Sequence, residues 1–201
     1  MKNKNKKYQV IYTDPPWKYG FWYKSEKVKR NAADHYPVMS IDEMKLLPIN
    51  SLSDENSVLL MWVTYPCLEE GLILMKAWGF KYKTVAFTWV KKNKKSNTWF
   101  LGLGNYTRAN AEICLLGTRG KGLKRISHSV RQVIDSSIRE HSQKPDEAKD
   151  RIIELFGNLP RIELFARSSK KFENGWVNVG NGIDGCDIRN SLEKIIDGTY
   201  L

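Results

Sequence analysis

Residues 7–17 read KYQVIYTDPPW. Lys7 to Thr13 is a short β-branched and aromatic run, and Asp14-Pro15-Pro16 stops it, since proline gives no N–H to a ladder. A strand is therefore expected over 7–13, with Asp14, Pro15, Pro16 and Trp17 at its carboxyl end. Downstream, residues 18–39 are charged, with scattered aromatics and no period, and read as loop. Ser40-Ile41-Asp42-Glu43 is a capping box that opens a short helix closed by Pro48. Ser57–Thr64 (SVLLMWVT) reads as a buried strand. Leu68, Leu72, Met75 and Trp78 then recur at helical spacing, with Gly79 as the stop.

Two further strands are expected at Thr84–Lys91 and Ala111–Gly117, separated by a basic loop over 92–110. Pro145 as a first-turn residue, Asp146 and Glu147 behind it and Gly157 at the end bracket a helix. Arg161–Arg167 reads as a strand, and Trp176–Val179 as a short one. Strands alternating with helices point to a single α/β domain with a largely parallel sheet, in which ligands gather at the carboxyl ends of the strands.

Composition narrows the class. The 201 residues carry a net charge of +11, and the basic surplus is uneven. Residues 1–31 hold nine Lys/Arg against two acids, and 81–131 hold twelve against Glu112 alone, while the rest of the chain is net acidic. Clustered cations of this kind, Lys91, Lys92, Lys94 and Lys95 among them, suit a polyanion, from which they release counterions. No apolar run is longer than Val58–Val63, so no membrane span is expected. Cys67, Cys114 and Cys186 are odd in number and lack CxxC spacing, and the three histidines lack ligand spacing. Neither a disulfide framework nor a metal site is expected, and a reducing cytoplasm is the natural compartment.

The Asp14–Trp17 tetrapeptide can be read two ways. As an ordinary Asp-Pro turn it needs no ligand. As chemistry, it suits an aromatic exocyclic amine, a poor nucleophile because its lone pair is delocalised into the ring. A carboxylate oxygen of Asp14 and the carbonyl of Pro15 can each accept one N–H, holding the nitrogen nearer to tetrahedral with its lone pair aimed at a sulfonium methyl. The prolines add rigidity and no competing N–H. Trp17 offers a face on which an extruded base could stack.

The chain as a whole resembles the DPPW family of N(6)-adenine methyltransferases, which includes the eukaryotic mRNA adenosine methyltransferases and smaller bacterial and phage members. Nine segments carry the resemblance in order: YTDPPW (12–17), HYPVMSIDEM (35–44), LLMWVT (59–64), AWGF (77–80), WVK (89–91), EICLLGTRG (112–120), HSQKPDE (141–147), RIELFAR (161–167) and GNGIDG (180–185). Three stretches, KTVAFTWVKKN, GLGNYTRAN and SVRQVI, look closest to the bacterial and phage branch. The resemblance implies a Rossmann-like methyltransferase fold, S-adenosylmethionine-dependent, permuted so that the catalytic motif precedes the cofactor-binding strand. It divides the chain into a basic tail (1–7), a methyltransferase domain (8–185) and a C-terminal extension (186–201).

It also implies roles. Asp14, with Pro15, Pro16 and Trp17, is catalytic. Tyr36, Glu112 and Lys18 fall on the substrate side. The cofactor is held by Asp14, Lys144, Phe165, Arg167 and Asn181, with Lys144 on its methionyl carboxylate and Asn181 on its adenine. The implied partners are nucleic acid, DNA in preference to RNA, and a second copy or a paired methyltransferase subunit. The chain departs from the mRNA enzymes in three places. Ser169-Lys170 stand for a His-Asn pair over the ribose, and Asn181-Gly182 for Asn-Gln on the adenine. The third is that 13 residues precede Asp14 where larger members are expected to line the adenine pocket with an upstream segment. A silent binding subunit, or methylation of another amide-like amine, are the competing readings; an intact motif beside Lys144 and Asn181 speaks against the first.

Overall fold

The strand over Tyr8–Thr13 (β1) lies inside the sheet, with parallel neighbours on both sides. The computed structural model describes residues 7–18, 38–104, 106–139, 143–167 and 170–200. After β1 come two short helices, α1 (Ile41–Lys45) and α2 (Ile49–Leu52), then β2 (Ser53–Val63), a 3-10 turn at Tyr65–Cys67 and α3 (Leu68–Ala77). β3 (Lys81–Lys92), β4 (Ala111–Arg119) and β5 (Val133–Ser137) follow. The chain closes with α4 (Glu147–Phe156), β6 (Arg161–Leu164), β7 (Phe172–Glu173), β8 (Trp176–Val179), α5 (Asn181–Asp184) and α6 (Ile188–Ile196).

The strands form one sheet in the order β5-β3-β4-β2-β1-β6-β8-β7. β4 is antiparallel to both β2 and β3, and β7 is antiparallel to β8; the other pairings are parallel. Six strands therefore run one way and two are reversed, which is the expected largely parallel sheet.

Val58–Val63 shows why the pattern is apolar at every position rather than alternating. Leu59, Met61 and Val63 enter one core while Val58, Leu60 and Trp62 enter the other, so both faces are covered. The first core is closed by Met44, Ile49, Leu52, Leu74, Met75 and the α6 residues Ile188, Leu192 and Ile195. The second is closed by Ala148, Ile152 and Phe156 of α4. Each fully buried Leu, Ile or Val contributes about 1.5–3 kcal/mol from removal of its surface from water. Ile188, Leu192, Ile195 and Tyr200, in the stretch set apart by the resemblance as an extension, thus pack into the main core.

One local expectation holds to the atom and three shift. The capping box forms as read, with the Ser40 hydroxyl accepting from the Glu43 N–H and the Glu43 carboxylate from the Ser40 N–H. In α3 the buried stripe runs through Gly71 and Leu74 to Met75, and Leu72 falls at its edge, 38% exposed. Pro145 precedes the Asp146 N-cap of α4 instead of occupying its first turn. The strand expected to reach Arg167 ends at Leu164, because Phe165 adopts a left-handed backbone (φ 58°) that no ladder accommodates.

Candidate active site

All six co-directional strands end at one edge of the sheet, and the reversal of β4 brings its first residues to that same edge. β1 leads on to β2 on one side and has β6 on the other, so its carboxyl end is a switch point where a crevice opens. A cavity of about 420 Å³ lies there. Its floor and walls come from Asp14–Trp17 after β1, Val63 and Thr64 after β2, Glu112 of β4, and Lys144 before α4. Phe165–Arg167 after β6, Asn181 and Gly182 of α5, and Asp187–Arg189 at the start of α6 complete it.

Four charges are chained across the floor. The Lys144 ammonium donates to Asp14 Oδ2 at 2.7 Å and lies 3.1 Å from Glu112 Oε2. The other Glu112 oxygen takes Lys91 Nζ at 2.5 Å. Burial works to strip the Lys144 proton, but Asp14 and Glu112 outweigh it and raise its pKa well above the ordinary lysine value. Burial likewise pushes the Asp14 carboxyl up, an effect that Lys144 offsets in part and Glu112 reinforces. For Glu112 the balance reverses: burial opposes ionisation, yet Lys144 and Lys91 together hold it below the usual carboxylate range. The cluster thus keeps one firmly ionised acid, one fixed cation and one carboxylate with raised proton affinity. Asp14 Oδ1 has no hydrogen-bond partner among the described residues.

The left-handed Phe165 sits at this edge and costs about 1 kcal/mol or more of backbone strain. It turns the chain so that the Ala166 N–H reaches the Val179 carbonyl at 2.8 Å. Gly180 makes that approach possible, since a Cβ there would lie 2.5 Å from the Ala166 carbonyl oxygen. β6 and β8 are thereby clasped, and Arg167 and Asn181, which follow them, both line the cavity.

Asp14, Pro15, Pro16, Trp17, Glu112, Lys144, Phe165, Arg167 and Asn181 are therefore brought together. Lys18 is exposed and is not among the lining residues, and Tyr36 falls outside the described residues. Trp17 lines the cavity, but it is only 5% exposed and its indole N–H donates to the Trp62 carbonyl at 3.2 Å, so it forms a fixed wall rather than an open platform. The Pro15 carbonyl already accepts the Trp17 N–H at 2.9 Å and has its second lone pair for another donor.

Lys144 precedes the α4 N-cap by two residues, which frees it from the helix surface and lets it reach across to β1. Sequence reading assigned Lys91 and Lys92 to a polyanion footprint; the structure pairs them with Glu112 and Asp135. It also missed Met39, Thr64, Glu43, Asp187, Ile188 and Arg189. Arg189 bonds Glu43 at 3.0 Å and Asp187 at 3.1 Å, tying α6 to α1 across the rim. Nothing in the sequence pairs positions 43 and 189.

The MT-A70 family model matches residues 8–182. Among curated proteins, the type II methyltransferase M.MunI of a Mycoplasma species is 35% identical, covering 96% of this chain and 84% of that protein. The human N(6)-adenosine-methyltransferase catalytic subunit METTL3 is 30% identical over 90% of this chain but 29% of its own length. The Drosophila melanogaster MT-A70-like protein is 31% identical over 89% of this chain and 27% of its own. The chain thus spans most of the first relative and less than a third of the other two, and it belongs to the MT-A70 family.

Proposed function

We propose that this protein transfers a methyl group from S-adenosylmethionine to the exocyclic amine of adenine in nucleic acid, DNA in preference to RNA. The observation that carries the reading is Asp14 at the end of β1, joined through Lys144 to Glu112 on the cavity floor. The donor set fits the cofactor: Asp14 and Lys144 offer a carboxylate and a cation to the ammonium and carboxylate of an amino acid, Asn181 an amide to a purine edge, and Phe165 and Ile188 apolar surface between. When bound, S-adenosylmethionine supplies an electrophilic methyl on a sulfonium sulfur.

The chain's own part is acceptance and orientation. Asp14 Oδ2 is spent on Lys144, so Oδ1 is the oxygen presented to an amine N–H. The Pro15 carbonyl can take the other N–H, and between two fixed acceptors the nitrogen lone pair is directed out of the ring plane. Burial raises the proton affinity of Asp14, which suits it to hold the amine hydrogen until release. Glu112 touches neither acceptor; with Lys91 behind it, it fixes Lys144. Orientation of a near-attack geometry supplies the remainder.

DNA is favoured because the type II methyltransferase M.MunI matches over 96% of this chain and 84% of its own length. The test is transfer of labelled methyl to unmethylated DNA and RNA in parallel, with wild type and Asp14→Ala, followed by digestion and identification of the nucleoside. N(6)-methyladenine from one polymer, lost in the variant, is expected. Methylcytosine, or equal transfer by the variant, refutes the reading. Sedimentation of the same samples tests for a second copy, the subunit partner we assign.

A further inference from the structure

Residues 93–104 and 106–110, between β3 and β4, form a built arm. The Asn93 N–H donates to the Thr98 carbonyl at 3.0 Å, the Phe100 N–H to Lys91 at 2.9 Å and the Gly102 N–H to Ala109 at 2.9 Å. Gly102 and Gly104 are close-approach glycines, since a Cβ on either would lie 2.3 Å from the Ala109 oxygen or 2.0 Å from the Thr107 oxygen. Backbone segments that approach this closely make a paired ribbon, in which glycine leaves room for the opposite chain. It springs from the active-site edge: Lys91, its base, holds Glu112.

The ribbon carries what a soluble surface normally hides. Leu101 is 71% exposed, Leu103 75%, Tyr106 fully and Trp99 about half. Lys94, Lys95 and Arg108 lie among them, and 93–110 contains no acid. Apolar side chains in a basic surround match a ligand with anionic rims and an apolar stacked interior. A duplex has that form: phosphates outside, base stack within. A second copy meeting it arm to arm does not, because like charges would face each other.

We propose that the 93–110 arm is a wedge for duplex DNA, its cations on the phosphates and Leu101, Leu103 and Tyr106 in the gap opened when the target adenine leaves the stack. This rests on the reading of the cavity as an adenine site. The floor of that cavity lies in a crevice at the sheet edge, where an amine still stacked in a duplex cannot reach Asp14, so the base must be extruded. An extruded base leaves a hole whose apolar walls are stabilised by an apolar filler.

The experiment uses the full chain and unmethylated linear plasmid DNA, native or heat-denatured, so that every sequence context is offered in both forms. The variant Leu101→Ser/Leu103→Ser/Tyr106→Ser changes exposed side chains; its thermal midpoint and S-adenosylhomocysteine affinity serve as controls on folding and on the cavity. A loss of roughly tenfold or more is expected on native DNA, since each 1.4 kcal/mol is a factor of ten. On denatured DNA the rate should change less than about twofold, because no stack has to be opened. Equal rates on native DNA, or the same loss on both forms, overturn the wedge, as does a wild-type dimer that the variant dissociates. Wild type that methylates adenine in neither form overturns the adenine reading itself, and the wedge with it; the two failures are told apart by the wild-type reaction alone.

Discussion

Replacing Lys144 with methionine keeps much of its volume and removes its charge, leaving Asp14 and Glu112 to face each other across the cavity floor. The ammonium is 2.7 Å from one and 3.1 Å from the other, and its side chain is 11% exposed. Removing one member of a well-buried ion pair costs about 3–5 kcal/mol, chiefly because the stranded charge stays desolvated. Glu112 keeps Lys91, and Asp14 is partly open to solvent, so the low end applies: about 3 kcal/mol at pH 8. For a chain of this size that corresponds to a fall in Tm of roughly 6–12 °C.

The pH dependence follows from direction. Burial already holds the Asp14 pKa above its ordinary value, and losing the offsetting cation drives it higher. A carboxyl with a higher pKa folded than unfolded binds more protons in the native state, so stability falls as pH rises through the folded value. Lys144 in the wild type is protonated both folded and unfolded between pH 5 and 8, and Glu112, with its lowered pKa, is ionised in both, so neither adds slope there. The variant's deficit should therefore be smaller at pH 5 than at pH 8, changing by at most about 1.4 kcal/mol per pH unit for one proton. Urea denaturation of both proteins at four pH values in that range measures it. A deficit equal at pH 5 and pH 8, or below about 1 kcal/mol throughout, would show that Lys144 does not compensate Asp14.

Asp14 should also set the acid limb of kcat/KM for methyl transfer. The limb is expected above the normal carboxylate range, with activity lost as pH falls and the acceptor is protonated; an unshifted limb counts against Asp14 as the acceptor. Charge reversal at Lys94, Lys95 and Arg108 should flatten the salt dependence of DNA binding, by about 0.9 in slope for each phosphate no longer neutralised, whereas Lys91→Glu should act first on folding through Glu112. Parallel salt titrations of the two variants decide this. A Cβ at Gly182 meets nothing within 4 Å, so Gly182→Gln can add a second amide at the rim. One added hydrogen bond of about 1 kcal/mol should tighten S-adenosylhomocysteine binding by roughly fivefold in calorimetry, and unchanged affinity would place the purine elsewhere.

Much of this molecule is legible in one dimension because its rules are local. Two consecutive prolines end β1 wherever it lies; a capping box opens α1 from four residues; an unbroken apolar run marks a strand covered on both faces. Asp14, Lys144 and Asn181 stood out because each occupies a motif at an element's end, and in a largely parallel sheet such ends converge. Other features depend on register and reversal, which no local pattern encodes. β4 runs against its neighbours, and only that direction puts Glu112 at the carboxyl edge instead of the opposite one. Lys91 and Lys92 looked like free surface cations until strand pairing set them beside Glu112 and Asp135. The loop expected over 92–110 folds back on itself, with Gly102 and Gly104 against the Ala109 and Thr107 carbonyls. In the sequence by itself, β1, α1, α3, α4, the class of sheet and the place of the Asp14–Trp17 motif at a strand end are legible, since these rest on interactions between near neighbours. β5, β7, α5 and α6 emerge only in the structure. The charge chain, the rim closed by Arg189 and the exposed arm were decided by tertiary structure alone, because electrostatic energy and burial depend on distances between groups separated by up to 146 residues along the chain.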